Sequence, residues 1–144
     1  MVLSARTLKV SLEEGDTMFS HVMVGSNDID RSKKFYDALF ASLGGKPGTV
    51  DAKGRIIYAH NGGLLLVSKP IDGKGATHAN GGTIGFAMSS PEQCKAWHDA
   101  GVAAGGKSIE DPPGVRSGGA FPMYLAYLRD PDGNKLCGLH RMPA

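Results

Sequence analysis

The feature that most constrains this chain is an internal repeat. Phe19–Gly25 (FSHVMVG) is a short run of branched and apolar residues that reads as a strand. Asn27 or Asp28 then offers a cap for a helix reaching to about Leu43, along which Phe35, Tyr36, Leu39, Phe40 and Leu43 recur at spacings of three and four. Gly44-Gly45 ends it. An edge segment around Thr49–Asp51, a strand at Ile56–His60, the turn Asn61-Gly62 and a strand at Leu64–Ser68 complete the first half. The second half runs in the same order. Thr83–Met88 is a strand, and Ser90-Pro91-Glu92-Gln93 starts a helix with a capping serine, a proline in the first turn and a glutamine placed for a capping box. That helix reaches about Ala104 and stops at Gly105-Gly106. A segment near Ile109–Glu110 and strands at Tyr124–Leu128 and Leu136–His140 follow, the last two joined by Asp130-Pro131-Asp132-Gly133-Asn134.

Each half is therefore expected as strand, helix and three strands. Ser20-His21-Val22 matches Gly82-Thr83-Ile84, and Leu39–Gly45 matches Gly101–Gly106. One such half is a small sheet with open edges. Two halves side by side give an α+β fold: tandem βαβββ modules forming a curved, half-open mixed β-sheet cleft with helices outside. The modules are expected at about 18–68 and 83–141 within a single domain 18–144, with the polar, glycine-rich connector KPIDGKGATHANGG at 69–82. Residues 1–17 mix charge with weak alternation and precede a second methionine, Met18, so they read as an appended, non-native leader.

Composition narrows the function classes. At 144 residues the chain has length for one domain, and that size buries a core without disulfide or metal staples. Sixteen Lys and Arg against fourteen Asp and Glu leave a net charge of +2 with no basic cluster, which gives no support for a nucleic-acid or membrane-surface partner. The longest apolar runs, such as Leu64–Val67, are far too short to span a bilayer. Twenty-one glycines, about twice the usual share, gather at element ends and read as turns and a closely approached pocket. Cys94 and Cys137 form neither a CxxC pair nor a zinc spacing, so a reduced, cytoplasmic protein is expected. The paired carboxylates Asp130 and Asp132 read as hairpin-turn residues from their Pro, Gly and Asn neighbours.

The βαβββ–βαβββ order, the opening SHVMVGSNDIDRSKKFYDAL and the closing YLRDPDGNKLCGLH resemble the vicinal-oxygen-chelate superfamily, which includes glyoxalase I, bleomycin-resistance proteins and extradiol dioxygenases. The connector resembles that of a bacterial glyoxalase-like branch of unassigned activity. The resemblance implies a cleft lined by the His21 face of the first strand, a small organic molecule as ligand, and a homodimer. It also implies divalent-metal ligands on the first and last strands of each half. His21 matches the first position, Thr83 its counterpart, Leu66 the third, and Cys137 stands where the glutamate after DPDGN is usual. Leucine cannot ligate and threonine ligates poorly, so the inherited site reads as degenerate and no cofactor is expected. Zn, Ni, Mn or Fe is the alternative, with His21 as the metal ligand.

His21 shares a strand face with Met23 by alternation. It carries three readings: metal ligand, pocket acid–base or hydrogen-bonding group, and ordinary hydrogen-bonded histidine. Cys137 is either inert packing or, with a cation such as protonated His21 nearby, a reactive thiolate. His21 and Cys137 are the candidate catalytic pair, and Met23, Leu66, Thr83, Tyr127 and Arg116 the candidate substrate-binding residues. His78 in the connector is either a substitute ligand or an exposed loop residue. His60 and His98 converge on nothing visible, and Gly114–Pro122 reads as a mobile loop near the cleft. Three functions remain open at this point. The first is a small-molecule-binding protein with a degenerate metal site, acting as a lyase or isomerase beside a carbonyl if it is an enzyme. The others are a divalent-metal glyoxalase or dioxygenase, and a sequestration protein of the bleomycin-resistance kind.

Overall fold

The computed structural model describes residues 18–143, so the leader reading of 1–17 lies outside the described residues. The first module comprises β1 (Val22–Gly25), α1 (Ile29–Ser42), β2 (Thr49–Val50), β3 (Ile56–His60) and β4 (Gly63–Ser68). Asp28 caps α1 by accepting from the Arg31 amide at 3.0 Å, and Gly44 beyond the helix takes φ +76°, a conformation a side chain would strain. The β3–β4 hairpin turns on Asn61 and Gly62, both at positive φ, as an Asn-Gly pair favours. Strand order is β1-β4-β3-β2, with β1 and β4 parallel and the rest antiparallel.

The second module repeats this with β5 (Ile84–Ala87), α2 (Pro91–Ala103), β6 (Lys107–Ser108), β7 (Gly114–Arg116), β8 (Met123–Arg129) and β9 (Lys135–Arg141). Ser90 caps α2 through the Gln93 amide, and Gln93 reaches back to the Ser89 amide at 2.7 Å. The order β5-β9-β8-β6 mirrors the first sheet, again with its first and last strands parallel. The two halves thus form the expected α+β pair of mixed sheets. Among the described residues no helix is long and apolar enough to cross a membrane.

One detail of the second module corrects the sequence reading. The strand expected near Ile109–Glu110 is split in two along the outer edge of β8. β6 pairs with Leu128 and Arg129, and β7 with Met123–Leu125. Glu110 takes φ +57° and turns the chain off the edge. Pro112 and Pro113 then have no N–H to offer the ladder, and pairing resumes at Gly114. Gly114–Arg116 is therefore strand rather than loop.

The core lies between the sheets and the helices. Phe35, Tyr36 and Leu39 of α1 and Cys94 and Trp97 of α2 are fully buried. Two glycines allow the close approach. A Cβ on Gly101 would collide with Leu128 and lie 3.1 Å from Leu39, and one on Gly138 would lie 3.0 Å from both the Cys94 sulfur and the Trp97 ring.

The DPDGN turn does more than reverse the chain between β8 and β9. Asp132 accepts from the Asn27 amide and the Arg31 guanidinium, each at 2.9 Å, and from the Ser32 hydroxyl at 3.1 Å. Its negative charge sits at the N-terminus of α1, where the helix dipole favours it. Asp130 is buried and accepts from the Tyr36 hydroxyl at 2.6 Å, the Asn134 side-chain amide at 2.8 Å, and the Asp132 and Asn134 backbone amides at 2.9 Å each. Asn134 also donates to the Gly25 carbonyl. The turn therefore bolts the second module onto the first strand and first helix of the first module.

Candidate functional site

β1 and β5 are edge strands of separate sheets, and a cavity of about 300 Å³ opens at the seam beside them. Its apolar wall is Phe40 and Leu43 from the end of α1, Leu65 from β4, and Ile84 and Phe86 from β5. Ser20, His21, His60 and Asn61 supply its polar groups. Consecutive residues from both faces of β5 line it, so it lies around the strand edge rather than on one sheet face. Helical spacing brings Phe40 and Leu43 to one side of α1, and the hairpin brings His60 and Asn61 beside the start of β1.

Tyr58 also lines the cavity, stacked on Phe40 at 4.7 Å between ring centroids. Its hydroxyl is committed elsewhere, donating to Asp37 at 2.8 Å. Burial, reinforced by Asp37, pushes its pKa far above the ordinary phenol value, so it stays a neutral donor. Burial alone would raise the Asp37 carboxyl, but bonds from Lys33, the Gly48 amide and Tyr58 outweigh it and hold the carboxyl below its usual value. Such a group stabilises the fold above its unfolded pKa, about 3.9, and the contribution is lost as pH falls through the lower folded value. Asp37→Asn should consequently narrow the difference in urea midpoint between about pH 7 and pH 3. An unchanged difference would contradict this.

The residues singled out from sequence fall into two groups. On the first sheet, His21 is exposed at the cavity, with Nδ1 2.8 Å from the Ser20 hydroxyl. Met23 follows it on the same face, 46% exposed, and pairs across the strands with Leu66, which is buried. Thr83, by contrast, is exposed just before β5 of the second sheet. On the second sheet, Cys137 and Tyr127 oppose each other across β8 and β9, with Arg116 close enough to act on the Tyr127 hydroxyl. Arg116 itself donates to the Asp111 and Pro112 carbonyls. Of these residues only His21 lines the cavity.

The electrostatics of Cys137 favour packing over reactivity. Burial dominates and raises its pKa, with Glu110 adding to the rise and Tyr127 and Lys135 opposing it. At neutral pH the free group is a thiol and a poor nucleophile. The four positions that would hold a divalent ion are an exposed imidazole, a buried leucine, an exposed hydroxyl and a buried thiol. At most two are strong donors where a stable site needs three or four, so the set does not fit a metal. Among the described residues no three His, Cys, Asp or Glu side chains converge. His78 packs over Gly133 of the DPDGN turn. His98 is buried, with Nε2 2.9 Å from the Ser108 hydroxyl. His60 is the site residue that sequence reading passed over. Its place beside the hairpin turn, opposite the start of β1, was the available signal.

The family model for the Glyoxalase/Bleomycin resistance protein/Dioxygenase superfamily matches residues 18–137. The chain belongs to that superfamily. It is 57% identical to a glyoxalase/bleomycin resistance protein from Albidiferax ferrireducens T118, over 87% of this chain and 100% of that one, with a TM-score of 0.83. A glyoxalase-related enzyme from Fulvimarina pelagi is 20% identical over 86% of this chain and 88% of its own, with a TM-score of 0.63. A glyoxalase/bleomycin resistance protein/dioxygenase family enzyme from Burkholderia phytofirmans PsJN is 16% identical over 85% and 98%, with a TM-score of 0.65. The last two share the fold alone. No protein with a curated description matches the chain.

Proposed function

We propose that this superfamily member binds a small organic molecule in the seam cavity, without a divalent ion. The observation that carries the reading is the cavity itself. It has the volume of a small ligand site, an apolar wall of Phe40, Leu65 and Phe86, and a few polar groups at its rim. The mismatched donor set supports the metal-free part. Binding alone suffices for a sequestration role. A catalytic version is favoured by one observation, the exposed His21 imidazole at the cavity with Ser20 hydrogen-bonded to its Nδ1. There it serves as the base that takes a proton from the carbon beside a carbonyl.

The test is a fluorescence titration with the neutral aryl ketone 6-propionyl-2-dimethylaminonaphthalene, whose emission shifts to the blue in apolar surroundings. Protein treated with EDTA should bind it saturably and at the affinity of untreated protein. Binding that appears only after Zn²⁺, Ni²⁺, Mn²⁺ or Fe²⁺ is added would overturn the metal-free reading. Absence of saturable binding would overturn the site.

A further inference from the structure

We propose that the seam cavity selects uncharged aromatic molecules carrying a single hydrogen-bonding head group, and rejects charged ones of the same size. The inference rests on the cavity reading above and adds the chemical class of the ligand.

Three observations carry it. First, no Lys, Arg, Asp or Glu stands among the described residues that line the cavity. A charged ligand would leave water for an apolar wall with no opposite permanent charge to pair with, and that desolvation is strongly unfavourable. The nearby Asp37 carboxylate offers no remedy to a cation, because Lys33, Gly48 and Tyr58 already occupy it.

Second, the polar groups of the cavity are clustered. Val22 pairs with Leu65, and His60 with Gly63, so the residues before Val22 and the β3–β4 hairpin share one end of the first sheet. Ser20, His21, His60 and Asn61 therefore gather at that end. Phe40, in ring contact with both His60 and Phe86, joins that end to the apolar wall. Imidazole, hydroxyl and amide groups each donate and accept, so together they suit a carbonyl or hydroxyl without demanding charge.

Third, the wall is built from rings at mixed angles. Phe40 meets Phe86 edge-on at 6.1 Å and His60 edge-on at 5.9 Å between centroids. Aromatic pairs favour edge-to-face and offset arrangements, and both faces and edges are on offer to a flat guest. About 300 Å³ admits a two-ring molecule.

The experiment compares four probes of one size on the full chain at about pH 8, by calorimetric titration: 2-naphthol, naphthalene, 2-naphthalenesulfonate and 2-naphthylmethylammonium. We expect 2-naphthol to bind at least tenfold more tightly than either charged probe, and severalfold more tightly than naphthalene. His60→Phe and Asn61→Gly together should weaken 2-naphthol binding severalfold and naphthalene binding much less, so that the gap between the two probes narrows. A charged probe that binds as well as 2-naphthol would overturn the selectivity while leaving the cavity as a site. Equal binding of naphthol and naphthalene would overturn the role of the polar end. Failure of all four probes to bind would overturn the cavity reading beneath both.

Discussion

Asp130→Ala should lower the midpoint of thermal unfolding by about 10 °C, the equivalent of about 3 kcal/mol in a domain of this size. The carboxylate is buried and accepts four hydrogen bonds, from Tyr36, Asn134 and two backbone amides of its own turn. Alanine leaves those donors without a partner where water has little access, and each unsatisfied buried group costs about 1–3 kcal/mol before relaxation. Tyr36→Phe removes one donor and leaves the carboxylate three, so about half the effect is expected. Arg31→Ala should cost under about 1 kcal/mol, because the guanidinium is 47% exposed and its ion pair with Asp132 is screened. Differential scanning calorimetry of the three variants checks the ranking. A midpoint for Asp130→Ala within about 2 °C of the parent would show that the turn does not lock the modules.

Gly85→Leu should weaken binding of the aryl ketone probe by at least about thirtyfold, roughly 2 kcal/mol, with little change in stability. Gly85 lines the cavity, and a Cβ built on it meets nothing within 4 Å. Its backbone is ordinary extended strand, paired in register with Cys137. A leucine there meets no steric barrier and suits an edge strand better than glycine does. Its side chain would extend from a lining strand into the open space beside Gly85. Gly85→Ala, with a single methyl group, should cost less than threefold. A leucine variant that melts like the parent and still binds the probe at parental affinity would place the ligand somewhere else.

Much of the fold was legible because the repeat and its punctuation are local. Phe35, Tyr36, Leu39 and Phe40 announce a helix by spacing, Asp28 and Ser90 cap where capping residues are expected, and Asn61-Gly62 turns as that pair does. The split of the outer strand was less legible. It depends on Glu110 adopting a positive φ ahead of two prolines, and on β8 offering an edge long enough to pair on both sides of the break. The Asp130–Asn134 segment was readable as a turn but not as a lock, because its partners Asn27, Arg31, Ser32 and Tyr36 lie about a hundred positions away in sequence.

Of the residues singled out from sequence, only His21 lines the seam cavity. Tyr127 and Cys137 do come together on the second sheet, outside the cavity lining, although Cys137 is the strand partner of the lining residue Gly85. His60 was passed over because strand alternation describes neighbours within a sheet. The seam between β1 and β5 is set by how the two modules dock, and no short-range pattern encodes that.

The most direct measurement is an amide correlation spectrum of isotopically labelled protein titrated with the neutral aryl ketone, in the presence of EDTA. Shift changes centred on Val22, Leu65, Gly85 and Phe86 are predicted. Changes centred on Arg116, Leu125 and Tyr127, with the seam residues unmoved, would contradict the seam cavity as the binding site.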